Sequence, residues 1–252
     1  MLNLGKLIRR DLSCTVRAVL TIFGSLAVIV GIALATIAHF PENAESYAQT
    51  MLIFLEFAVF VCSLGMLATA FAMPLSRFVR AYFSREAALT VCLPIPPSAQ
   101  MISKLVCCTV WYIPARLICE TAMNLLTKLI NSTSAVYTQA ESALLDPISW
   151  VRGLMFMLMA LLFCFMVMLI ASAARRRVLF GTVVFIFGGL IVALSYFCIQ
   201  LGLMKTFTQI FGEGETLTKA AQLSDCVFAG SFAAAFYIVC VILLNKVYEV
   251  RN

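Results

Sequence analysis

Residues 153–190 read GLMFMLMALLFCFMVMLIASAARRRVLFGTVVFIFGGL. The run Gly153–Ala174 carries no charge, three arginines follow, and a second charge-free run extends from Val178 to Met204. A helix rising ~1.5 Å per residue needs ~20 apolar residues to cross a hydrocarbon core about 30 Å thick, and both runs supply them. Outward from this pair lie Ala18–Ala38, Phe57–Ser76, Leu105–Ala115 and Val227–Asn245, the third continuing to Leu126 through two charged residues. A soluble core does not call for solid apolar blocks of this length. A transmembrane barrel would show alternating ten-residue segments instead. The expected fold is all-α: a polytopic membrane protein whose single transmembrane domain, 1–252, has six helices at about 18–39, 49–76, 104–127, 152–174, 178–204 and 225–246.

The basic residues gather at alternate junctions. One set of segments holds Lys6, Arg9, Arg10 and Arg17, then Arg77, Arg80, Arg85 and Lys104, then Arg175–Arg177, then Lys246 and Arg251. The other set holds Lys128, Arg152, Lys205 and Lys219 beside the acids Glu42, Glu45, Glu141, Asp146, Glu213, Glu215 and Asp225. Short loops with this bias follow the positive-inside tendency, so the expectation is a multi-pass protein of the plasma membrane with both termini in the cytoplasm. The net charge of +6 is then a topology signal, and no nucleic-acid partner is expected.

At the start, Met1–Arg17 is basic and partly apolar, and the first span is too long for the apolar core of a removed signal. Leu4–Leu12 is expected to form a short interfacial helix, with Leu4, Leu7, Ile8 and Leu12 on one face and Lys6, Arg9 and Arg10 towards phosphates and water. An ordinary basic flank that fixes orientation is the other reading.

Several chemistries lack their residues. The ten cysteines form no C-x-x-C pair, and His39 is the single histidine, so a two-histidine metal site is excluded and buried thiols are expected. No G-x-S-x-G elbow occurs, and no Lys or Asp sits well inside a span to serve a Ser–Lys or paired-Asp mechanism. Gly212-Glu213-Gly214-Glu215 is no phosphate loop, since its acids repel phosphate and no G-K-[ST] follows. Two outer connections are long: Lys128–Trp150 is rich in Ser, Thr and Asn, and Lys205–Asp225 reads either as a helical hairpin dipping back into the interface or as an exposed amphipathic loop.

The connection Arg77–Lys104 differs from the rest. Ser84 can cap a helix in which Glu86 complements the N-terminal dipole, Pro94, Pro96 and Pro97 stop it, and Ser98 can cap the helix that becomes the third span. The segment is expected to expose Phe78, Tyr82 and Phe83 beside Arg77, Arg80 and Arg85, residue types that anchor interfaces.

Here the chain resembles the membrane subunits of type-2 ATP-binding-cassette (ABC) transporters. The resemblance rests on Tyr82-Phe83, Glu86, Leu89, Leu93-Pro94 and Ser103-Lys104 between spans two and three, with six spans, a basic N-terminal segment and an extended last outer connection around them. It implies a cytoplasmic coupling helix in this loop, formed around Arg77, Arg80, Tyr82, Phe83, Arg85, Glu86, Leu89, Leu93 and Pro94, that docks on a separate ABC ATPase subunit. It also implies a second permease subunit, membrane lipids as surroundings, and no cofactor bound by this chain, the ATP and Mg being held by the partner ATPase. Family substrates include peptides, lipid-linked sugars and drugs, and the direction implied is export. This chain would then be a transport subunit without an ATPase site of its own. A membrane sensor or resistance component that binds peptide or lipid without transporting it is the alternative.

Three charges fall within spans. Glu56 and Glu120 lie at similar depth in the second and third, and Arg116 precedes Glu120 by one helical turn on the same face. Ion pairing that offsets burial and contact with substrate are both open to this cluster. Trp111, Tyr112 and Pro114 on the same helix read as packing residues and a kink.

Overall fold

The computed structural model describes residues 4–38, 47–83, 96–133, 147–173, 177–211 and 215–251. They form six helices: α1 (Leu4–Ala38), α2 (Tyr47–Phe83), α3 (Pro97–Thr133), α4 (Pro147–Ala173), α5 (Arg177–Phe211) and α6 (Glu215–Arg251). No strand occurs among the described residues, and all six helices are long and apolar enough to cross a membrane. The protein is therefore a helical multi-pass membrane protein. Each expected span lies within one helix to within a residue, and each helix outruns its span. The 35 residues of α1 or α5 rise about 52 Å, well beyond the hydrocarbon thickness.

Four local expectations are revised. Leu4–Leu12 is no separate short helix, because it continues without a break into the first span as the start of α1. The α2 helix runs on through Arg77 to Phe83, and α3 begins at Pro97, so the connection between them contracts to residues 84–96. Ser98 does not cap α3. The Pro96 carbonyl accepts the amides of Ala99 (3.0 Å) and Gln100 (3.3 Å), with Pro97 in the first helical position, where a missing N–H costs nothing. Similarly, the described parts of Lys205–Asp225 are helical rather than loop: they are the end of α5 and the start of α6.

The helices cluster into two compact units, one made of residues 1–77 and 103–146, the other of 78–102 and 147–252. In the first, α1 buries Leu7, Asp11, Thr15, Val19 and Phe23, a stripe with a spacing of four. Phe23 meets Trp111 of α3 edge to face at 6.5 Å, and the Cys119 thiol donates to the Ser63 carbonyl of α2. A Cβ placed on Gly65 would meet Leu26 at 3.5 Å, ordinary van der Waals contact, so α1 and α2 pack side by side at this level.

The second unit is built on α4, the shortest helix, which packs against both α5 and α6. Its sequence is apolar on every side, which suits a helix surrounded by neighbours. Phe163 of α4 contacts Phe185 of α5 (5.6 Å) and Phe236 of α6 (5.5 Å), and Tyr196 joins Phe156 (5.8 Å) to Phe228 (5.2 Å). Phe156, Phe163, Tyr196, Phe228 and Phe236 line a cavity of about 270 Å³. A second, larger cavity of about 590 Å³ lies between α5 and α6, lined by Ile199, Leu203, Phe207, Leu223 and Val227 among others.

Candidate functional site

Of the residues expected to receive a partner, Arg77, Arg80, Tyr82 and Phe83 are described, whereas Arg85, Glu86, Leu89, Leu93 and Pro94 lie outside the described residues. The expectation that Phe78 and Tyr82 are exposed is corrected. Phe78 is fully buried and stacks on Phe165 of α4, with ring centroids 4.0 Å apart and planes 18° from parallel. Tyr82, one turn further on, lies 4.8 Å from Phe78 and donates its hydroxyl to Gln100 Oε1 at 2.6 Å. Both side chains face inward because helix α2 continues through them and packs them against Phe165 and Gln100 instead of releasing them into a loop. Phe83 (38% exposed) and Arg80 remain on the surface. On the described side before residue 84 stands an aromatic plug against α4, and the described chain resumes at Pro96 with the proline-started helix α3.

The pair expected within α3 is present. Arg116 Nε donates to Glu120 Oε1 at 2.6 Å, and Arg116 Nη1 donates to the Tyr112 hydroxyl at 2.8 Å. Tyr112 is therefore more than a packing residue: it is the third member of an i, i+4, i+8 row. The spacing 112, 116, 120 was a legible signal for it. Glu120 Oε2 is buried with no donor among the described residues. Glu56 is on α2, and its side chain lies outside the described residues.

Two charged centres were missed by sequence reasoning. In the first unit, Asp11 Oδ2 accepts from Ser103 Oγ at 2.7 Å and from Lys104 Nζ at 2.5 Å, and both charged side chains are almost wholly buried. One turn along, Trp111 Nε1 donates to Thr15 Oγ1 at 3.0 Å. Asp11 is the one acid among the first forty residues, and it falls on the buried stripe with Leu7 and Thr15. That combination was the available signal. Ser103-Lys104, read as the end of a loop, are helical residues that both bind this carboxylate.

In the second unit, Asp225 was expected in an outer connection and is instead buried inside α6. Its carboxylate accepts from the Tyr196 hydroxyl at 3.0 Å and from Gln200 Nε2, and pairs with Arg152 Nη1 at 3.6 Å. One side chain thereby ties α4, α5 and α6 together. Ser224 beside it lines the larger cavity, and Tyr196 lines the smaller. Nothing in the sequence around Asp225 marks it, since its partners come from two other helices.

No group of three His, Cys, Asp or Glu side chains converges as a metal site among the described residues. What these centres can do is hold charge in a low dielectric and lock helices in register. No family model, curated protein or solved structure matches the chain.

Proposed function

We propose that this chain is the permease subunit of an ATP-driven ABC exporter, working in the plasma membrane with a separate ATPase subunit and a second permease subunit. Both termini and the connection between α2 and α3 face the cytoplasm in this reading, as the distribution of arginine and lysine favours. The ATPase holds ATP and Mg, and this chain contributes the path for a peptide, lipid or drug-like substrate.

The observation that carries the reading is the stack of Phe78 on Phe165. A soluble motor that pushes on residues 84–95 must deliver its displacement to a membrane helix, and close-packed rings transmit displacement where a flexible tether would absorb it. Phe78 and Tyr82 make that seat, and α4 in turn contacts α5 and α6. Motion of the connection would thus reach Asp225 and the cavities through helix packing. The resemblance at Tyr82-Phe83, Glu86, Leu89 and Leu93-Pro94 falls on the same segment.

The test is co-purification with a separate ABC ATPase subunit, and transport-coupled hydrolysis, for Glu86→Arg and Phe78→Leu. Glu86→Arg should weaken association, whereas Phe78→Leu should keep association and lose coupling. Unchanged association and coupling in both variants would sink the proposal. Opposite-side labelling of Ser84→Cys and Ser134→Cys should accompany it, and labelling of both from outside would overturn the topology.

A further inference from the structure

We propose that Arg77 and Lys104, together with Asp11, form a binding site for the phosphodiester of an anionic phospholipid. Lys104 and Asp11 are buried in one another's company, yet the Lys104 charge also lies within electrostatic range of Arg77 and Arg10. Lys104 and Arg10 pair with this one carboxylate, and Arg77 adds a further positive charge within range of Lys104. Arg10 is half exposed and 3.9 Å from Asp11, so water meets part of its charge. Arg77 is different: its Nε is buried and nothing among the described residues accepts its proton. A buried donor on a charged group, left unmet, costs more than a neutral one. A phosphate oxygen pair matches what a guanidinium fork offers.

The surroundings select a lipid over an acidic protein segment or a free anion. Lys6, Arg9, Arg10 and Arg17 are exposed on α1, the helix that supplies Asp11. Further along the same helix Leu20, Val28, Ile29 and Ile32 are exposed, an apolar surface of the kind acyl chains cover. Charge at one level and apolar surface below it, on one continuous helix, is the profile of a molecule with an anionic head and long tails.

The experiment uses the purified full chain in non-ionic micelles titrated with phosphatidylglycerol or phosphatidylcholine. The readouts are the unfolding midpoint and displacement of a fluorescent phosphatidylglycerol. Phosphatidylglycerol should raise the midpoint of the wild type and phosphatidylcholine should not. Arg80→Gln removes one exposed charge a turn away and should weaken phosphatidylglycerol by no more than the roughly fivefold factor that a basic residue near a surface contributes. Arg77→Gln should weaken it well beyond that factor. Arg77→Lys, which keeps the charge and loses Nε, should fall between them and serves if Arg77→Gln does not fold. Equal losses in the Arg77 and Arg80 variants would mean diffuse attraction and overturn the site. Displacement of the fluorescent lipid by millimolar glycerol phosphate or inorganic phosphate would overturn the lipid as its source. Absence of any phosphatidylglycerol preference would overturn the proposal and leave the unmet charge to an acidic partner protein.

Discussion

Lys104 donates a 2.5 Å hydrogen bond to Asp11, ninety-three positions away, and the two side chains retain only 6% and 2% exposure. The pair fixes the rotation of α1 against α3, because turning either helix would bring a charge to an apolar face. Ser103 and, one turn on, Thr15 with Trp111 continue the same polar seam.

Breaking that pair by one partner should be severe. Asp11→Leu or Lys104→Met strands a buried charge and should cost about 3–5 kcal/mol, whereas the double variant should recover most of the loss. Unfolding in mixed detergent for the four proteins of the cycle measures this, and additive single losses would refute the coupling.

The aromatic plug gives a graded contrast. Phe78→Ala removes a fully buried ring and should destabilise by about 3–5 kcal/mol. Phe83→Ala, on the same turn but partly exposed, should change stability by less than about 1 kcal/mol. Thermal unfolding of both variants tests the assignment, and equal effects would contradict the inward placement of Phe78.

Arg116 and Glu120 keep 14% and 22% exposure, so their pair is less committed than Asp11 and Lys104. Arg116→Leu takes the donor from Glu120 Oε1 while Oε2 already lacks one, and should cost about 1–3 kcal/mol. Adding Glu120→Gln should return part of it. Wild-type stability for Arg116→Leu in membrane extracts would show that the pair contributes nothing.

Neighbouring glycines on α5 should respond in opposite directions. A Cβ on Gly188 would lie 3.1 Å from the Phe163 ring, whereas one on Gly189 meets nothing within 4 Å. Gly188→Ala should therefore cost about 1 kcal/mol by displacing that ring, and Gly189→Ala should be neutral or gain up to about 1 kcal/mol from helix propensity. A reversed order in unfolding midpoints would place α5 in a different rotation against α4.

The number, approximate limits and helical nature of the spans could be read from the chain, because the free energy of moving apolar residues out of water accumulates residue by residue along one segment. Gly153–Ala174 needs no neighbour to be read as a span. The Arg116–Glu120 pair was equally legible, since both partners sit on one helix four residues apart. The inward turn of Phe78 and Tyr82, the pairing of Asp11 with Lys104 and the convergence of Arg152, Tyr196 and Gln200 on Asp225 were decided only in three dimensions. The physical reason is that a membrane helix can be apolar on its outward face as well as its inward one, so the amphipathic pattern that orients a soluble helix fades. Which side faces a neighbour is then set by a few polar groups seeking partners and by close packing, as with Phe163 against Gly188, and those partners lie on helices far apart in the chain.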